Sequence, residues 1–132
     1  MRVEISRLLL EVIVSRAAED SAEICGLLFG ASTRIAGEQP TANVAANPAR
    51  HFEIDPAALI AAHRAARFGG PVIIGHYHSH PGGLAMPSAV DTASARPDGS
   101  LWLIVAGGDA RLWVARAGSG GVAFEEAQLA IL

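Results

Sequence analysis

Residues 71–80, PVIIGHYHSH, constrain the fold more than any other stretch of the chain. The segment begins apolar on both faces, the composition of a central strand covered on both sides. It then carries histidines at 76, 78 and 80, every second position, and meets Pro81-Gly82-Gly83, where a strand must break. Any fold for this chain has to build a sheet around that strand and find a reason for the histidines.

The flanking sequence supplies the rest of such a sheet. Ile5, Leu8, Leu9, Val12 and Ile13 recur at helical spacing while Arg7, Glu11 and Ser15 face away, which predicts an amphipathic helix from about Ile5 to Glu19. ICGLLFG (24–30) reads as a buried strand closed by glycine, and a second strand is expected around Thr41 to Ala45. NPARHFEIDP holds a short extended piece ending at Asp55-Pro56. There Asp55 is a natural N-cap with Pro56 at the first helical position. The helix through AALIAAHRAARF stops at Gly69-Gly70-Pro71. Ser88 is expected to cap a short helix through Asp91 to about Ala95. LWLIVAGG, RLWVARA and GVAFEEA then form three strands split by glycine-rich turns. Without repeats or a linker, the pattern predicts one α/β domain over residues 1–132, built on a mixed sheet.

Composition narrows the function classes. Hydrophobic residues make up 51% and charged ones 17%, which argues against disorder. The net charge is −3, and the ten basic residues are scattered from Arg2 to Arg116, so nucleic acid is not expected as a partner. All ten are arginine, leaving no lysine amine for a ubiquitin-like modifier to join. The single cysteine, Cys25, allows no internal disulfide and fits a reducing compartment. Glu11 interrupts the apolar run LLLEVIV, and no stretch approaches the roughly 18 apolar residues of a membrane span. A soluble, cytoplasmic protein without membrane contact is expected.

Alternate strand residues share a face at about 6.6 Å spacing, so an i, i+2 histidine pair can hold one ion. His76 with His78, or His78 with His80, meets that condition; all three together do not. The break after His80 can turn its ring inward, which favours the second pair. A catalytic zinc has three protein ligands and an open position, so a third ligand must come from elsewhere. Asp91, one turn into the helix that Ser88 caps, is the nearest candidate. Two histidines and a carboxylate suit zinc better than calcium or magnesium, which prefer oxygen donors. Neither His-Glu-x-x-His nor Cys-x-x-Cys occurs. Each residue also has a plain structural reading. Strand histidines are commonly packed core residues, Ser-x-x-Asp resembles a capping box, and Glu23 can be a solvated residue between helix and strand. Cys25 reads as a small buried hydrophobe. His51 and His63 have no motif around them.

His78-x-His80, seven residues, Ser88, two residues and Asp91 resemble the signature of the JAMM (MPN-plus) metallopeptidases. Glu23 in AEICGLLFG matches that family's upstream glutamate, and the similarity runs through most of the chain to PSAVD. The resemblance, to small bacterial JAB-type members, implies a curved mixed β-sheet flanked by helices, related to the cytidine deaminases. It implies His78, His80 and Asp91 as ligands of one Zn²⁺ per chain. It further implies Glu23 as general base, holding the metal-bound water and passing its proton to the leaving amine, and Ser88 as hydrogen-bond donor to the tetrahedral oxyanion. His76 departs from the family pattern and is expected beside the ligands or in the core.

The implied activity is a zinc-dependent peptidase or isopeptidase acting at the C-terminus of a ubiquitin-like, sulfur-carrier-type protein. Its Gly-Gly tail is expected to add a strand at an exposed sheet edge. The alternative is a non-catalytic MPN scaffold or binding module. Such members have usually lost a ligand, whereas all five residues are present here. A zinc deaminase would need His-x-Glu and Pro-Cys-x-x-Cys, which one cysteine cannot supply. A cysteine peptidase built on Cys25 fits poorly, because Cys25 sits in an apolar strand. The meander strands suit core and interface equally well, so oligomeric state is not legible.

Overall fold

A computed structural model describes residues 1–132. Its elements are β1 (Arg2–Ile5), α1 (Arg7–Ala18), β2 (Cys25–Ala31), β3 (Arg34–Thr41), α2 (Pro56–Arg67), β4 (Ile73–Ser79), α3 (Ala89–Ser94), β5 (Leu101–Ala106), β6 (Asp109–Gly118) and β7 (Gly121–Ile131). The strands form one curved mixed sheet in the order β1-β3-β2-β4-β5-β6-β7, which closes on itself through β1. The histidine strand β4 is central as expected, antiparallel to β2 and parallel to β5.

The two faces of the sheet do different work. Residues from all seven strands, among them Val3, Leu28, Ile35, Tyr77, Leu103, Leu112 and Ala127, pack inward with Leu10 and Ile13 of α1. On the outer face Trp102, Ile104, Trp113 and Ala115 form a smaller cluster with Ala85, Phe52 and Phe124. Alternation along β4 therefore sends Tyr77 to the inner core and His76 and His78 to the outer face. Each fully buried aliphatic side chain contributes roughly 1.5–3 kcal/mol, so the inner cluster is the main source of stability.

Tyr77 ties β4 to the helix. Its hydroxyl donates to Glu38 Oε1 at 2.6 Å and accepts from Arg16 at 2.8 Å, and Arg16 also pairs with Glu38 at 3.0 Å. The ring fits because residue 26 is glycine: a Cβ there would collide with the Tyr77 hydroxyl. Gly75 lets β4 approach β5 in the same way, since its Cβ would strike the Leu101 carbonyl. The strand that carries the histidines is thus pinned on its inner face and along its parallel neighbour.

Three expectations need correction. The helix starts at Arg7, not Ile5, because Arg2–Ile5 is a strand and Ser6 caps the helix by accepting from the Leu9 N–H. Its buried stripe is Leu10 and Ile13 flanked by Leu9, Val14 and Ala17, while Leu8 is 72% and Val12 41% exposed. The second strand lies at Arg34–Thr41 rather than 41–45; Asn43 makes only an isolated bridge to Ile54. Ring closure also narrows the free edges. Pairing with β1 reaches only Arg34 and Ile35 of β3, so Ala36–Thr41 keeps one unpaired side, and Pro40 within it has no N–H to offer.

Candidate metal centre

Strand register brings the candidate residues to one end of the sheet. Cys25 pairs with His78, so Glu23 and Ile24, which precede β2, lie beside the end of β4. Ser79, between the two histidines, fastens them there: its Oγ accepts from the Ile24 N–H at 2.9 Å and its N–H donates to the Ile24 carbonyl at 3.1 Å. β4 ends at Ser79 and the chain turns at Pro81, which swings His80 out of strand alternation. His78 Nε2 and His80 Nε2 come to 3.0 Å from each other. His76 stays apart, its ring against Trp102 at 4.4 Å and 6.4 Å from the His78 ring.

The third candidate arrives on α3. Ser88 and Asp91 form a capping box: Ser88 Oγ accepts from the Asp91 N–H at 3.0 Å, and Asp91 Oδ2 accepts from the Ser88 N–H at 2.9 Å. The same Oδ2 lies 3.1 Å from both imidazole Nε2 atoms. The capping geometry is therefore what aims Asp91 at the histidines, since one carboxylate oxygen serves both the cap and the contacts to the two imidazoles. The Ser88 oxygen serves the cap as an acceptor, which leaves its hydroxyl proton uncommitted.

The donor chemistry fits a transition-metal ion. His80 Nδ1–H donates to the Leu84 carbonyl at 2.7 Å, which fixes the tautomer and leaves the Nε2 lone pair facing the cluster. The His78 ring is fully buried and stacked on Phe52 at 4.1 Å, with its Nδ1 unpartnered. Two imidazole nitrogens and a carboxylate oxygen, all about 3 Å apart, crowd lone pairs that a shared cation would satisfy. Glu23 supplies a second, overlapping triad, with ligand atoms of Glu23, His78 and His80 all within 4.8 Å of one another.

The titration directions follow from burial and these contacts. Burial alone would raise the Asp91 carboxyl. Hydrogen bonds to His78 and His80, the His78 charge and the Ser88 N–H together outweigh it and hold Asp91 well below the usual carboxylate range. Burial pushes His78 down, and takes His76 down to about 3. His80 loses by burial but gains more from Asp91 and the Leu84 carbonyl, so it rises. Burial lifts Glu23 from 4.5 to about 7, with His80 pulling it down and Asp91 pushing it further up.

A raised carboxyl pKa means that the folded chain holds a proton which the unfolded chain has released. Glu23's contribution to stability is thus full below about pH 4.5 and is lost as pH climbs through about 7. In metal-stripped protein, Glu23→Gln should melt with wild type at pH 4 and above it at pH 8. Differential scanning calorimetry at the two values measures this; a wild type that melts higher at pH 8 would show its carboxylate to be stabilised rather than strained.

Glu23, His80 and Ser88 open into a cleft of about 870 Å³. One wall carries Arg50 and His51, the other the exposed Leu84, Met86 and Val90. Sequence reasoning missed Ser79, Phe52 and His51. HFEIDP reads only as an extended piece before a helix cap, and no spacing rule links Phe52 to His78 across the fold. Cys25 is buried and its thiol pushed up by burial, in keeping with a packing role.

This geometry and the sheet topology define a JAB-type domain. The chain belongs to the prokaryotic homologs of the JAB domain, whose family model matches residues 6–116. Among its relatives are two proteins named desampylase. The one from Haloferax volcanii is 37% identical over 90 residues, 67% of this chain and 65% of that one, so the match spans just under two thirds of that relative. The one from Pyrococcus furiosus is 29% identical over 106 residues, 80% of this chain and 75% of its own. Among solved structures, a Desulfitobacterium hafniense protein superposes with a TM-score of 0.77 at 26% identity, covering 98% of this chain and 94% of that one. A JAB1/MPN domain protein from Archaeoglobus fulgidus shares the fold at TM-score 0.57 and 22% identity, covering 99% of this chain and 98% of its own. No helix here is long and apolar enough to cross a membrane.

Proposed function

We propose that residues 1–132, as a single JAB-type domain, form a zinc-dependent peptidase or isopeptidase. Its substrate is an amide bond at the C-terminus of a ubiquitin-like, sulfur-carrier-type protein ending in Gly-Gly. The observation that carries this reading is the position of Glu23. Its carboxyl, pushed up to about 7, lies within 4.8 Å of the two converging imidazoles and opens on the same cleft as Ser88. A buried carboxyl lifted toward neutrality beside converging imidazoles and a carboxylate is more characteristic of a catalytic site than of a scaffold. The relatives named desampylase support a hydrolytic role for the family.

His78, His80 and Asp91 would hold the zinc. Bound there, it would act as a Lewis acid and bring the acidity of water close to neutrality. Glu23 takes the proton from the attacking water and returns it to the departing amine. A pKa near the working pH suits both halves of that exchange, because the group must accept and then release. Ser88, its hydroxyl proton free of the cap, donates to the oxyanion as charge develops, a contribution of about 2.7–4 kcal/mol in comparable sites. The Ser88 N–H fixes Asp91 in place, and its contacts with His78 and His80 do most to keep it ionised against burial. In this reading an extended chain end would enter the cleft lined by Arg50 and Leu84.

Metal analysis of protein purified without added zinc is the direct test. About one zinc per chain is expected in wild type and almost none in His80→Ala. Wild type should then cleave carrier proteins bearing a C-terminal extension after Gly-Gly. A chain that takes up no zinc even after reconstitution would instead be a binding scaffold.

A further inference from the structure

We propose that Asn43, which lies outside the candidate metal centre, is a positioning residue for Glu23; the inference rests on the base role given to Glu23 above. Asn43 uses its whole amide. Nδ2 donates to the Glu23 carbonyl at 2.8 Å and to the His51 carbonyl at 2.9 Å, with the Pro48 carbonyl at 3.4 Å. Oδ1 accepts from the N–H of Ala45 at 3.1 Å and of Glu53 at 3.0 Å. The Glu23 N–H in turn donates to the Pro48 carbonyl at 2.8 Å. Both main-chain groups of Glu23 thus end on the segment that Asn43 organises.

The next peptide is held from the opposite side, where both main-chain groups of Ile24 go to Ser79. Glu23 has no regular element of its own, since it precedes β2. Its backbone torsions, and so the direction of its side chain, are set by this pair of clamps. Ser79 references Glu23 to the histidine strand. Asn43 references it to the cleft wall bearing Arg50 and His51, which its bond to the His51 carbonyl secures. The chemistry needs an amide of this length: two donors and an acceptor oxygen with two lone pairs. Aspartate lacks the donors, and glutamine is a methylene too long.

Misplacement of a reacting group by about 1 Å can cost 10²-fold in rate. Asn43→Ala should therefore lower kcat about 10- to 10²-fold, with KM changed by less than about threefold and zinc content unchanged. In a Glu23→Gln background the same substitution should cost no further rate. If it acts only on general stability, it will slow the residual reaction equally in both backgrounds, and the proposal is overturned. Loss of zinc, or an effect on KM alone, would overturn it as well.

Asn43→Asp provides the second variant, keeping size and the acceptor atoms while removing the donors. Hydrogen exchange at the Glu23 amide of the metal-free chain reads the clamp without any substrate. Exchange at least about tenfold faster in Asn43→Asp, with the Leu103 amide unchanged, is expected. Unchanged protection at Glu23 would refute the clamp. A wild type that binds zinc but cleaves no carrier would count against the peptidase reading, and the exchange result would still decide the role of Asn43.

Discussion

Glu23→Gln is expected to lower kcat for cleavage of a Gly-Gly-extended carrier by about 10²–10⁴-fold while leaving zinc at one per chain. The amide matches the carboxylate in shape and keeps the main-chain bonds to Asn43 and Pro48. It cannot accept a proton at neutral pH. Zinc content is the informative half of the measurement, because two triads share the imidazole pair: His78 and His80 with Asp91, or with Glu23. If Glu23 were the third ligand, Glu23→Gln would lose metal along with rate. Asp91 Oδ2 lies closer to both rings, at 3.1 Å, and is held well below the usual carboxylate range, whereas burial lifts Glu23 to about 7. On these grounds we propose Asp91 as the ligand and Glu23 as the proton carrier.

Asp91→Ala should produce the opposite signature: almost no zinc, no turnover, and a clear loss of stability even in metal-free protein. The carboxylate answers to three groups at once, namely the Ser88 N–H and the two imidazoles. Removing it takes away an N-cap contact worth about 1 kcal/mol. It also breaks a buried charged pairing, where loss of one partner costs about 3–5 kcal/mol. Asp91→Asn separates the two effects. Its side-chain oxygen can still accept from Ser88, so α3 should persist while zinc is lost. Urea melts with chelator present, beside metal analysis, check both variants; full zinc in Asp91→Ala would remove Asp91 from the site.

Much of the site was legible because its parts are local in sequence. His78, His80, Ser88 and Asp91 fall within one strand-break-helix stretch, and each carries a signal of its own: alternation, the Pro-Gly break, the cap. Glu23 was reached only through a family resemblance, since nothing in AEICGLL distinguishes a base from a solvated glutamate. Asn43 and Ser79 gave no signal at all. Their roles exist only once the chain has brought Ile24 to β4 and residues 47–53 over Glu23. The fold was read best where one period dominates, as in β4, β5 and the capped α2. It was misread where two elements abut, because Ile5 closes β1 yet also sits at helical spacing from Leu8 and Leu9. RIAGEQPT is polar, with a glycine and a proline, and gives no strand pattern although it forms β3. Hydrogen bonding to β2, not composition, makes it a strand.

The four residues of β1 have a kinetic consequence. They join the sheet by parallel pairing of Arg2–Ile5 with Gln128–Ile131, reinforced by bonds between Gln128 and Met1 and between Leu132 and Ile5. These partners lie about as far apart in sequence as the chain allows, and loop closure over such a span is slow. During synthesis β1 can pair early with Arg34 and Ile35 of β3, but its other side must wait until residue 131 has cleared the ribosome. The candidate metal-binding residues lie between 23 and 91 and their strand is braced by β5, so their convergence and the closure of the ring through β7 are separable events in the life of each molecule.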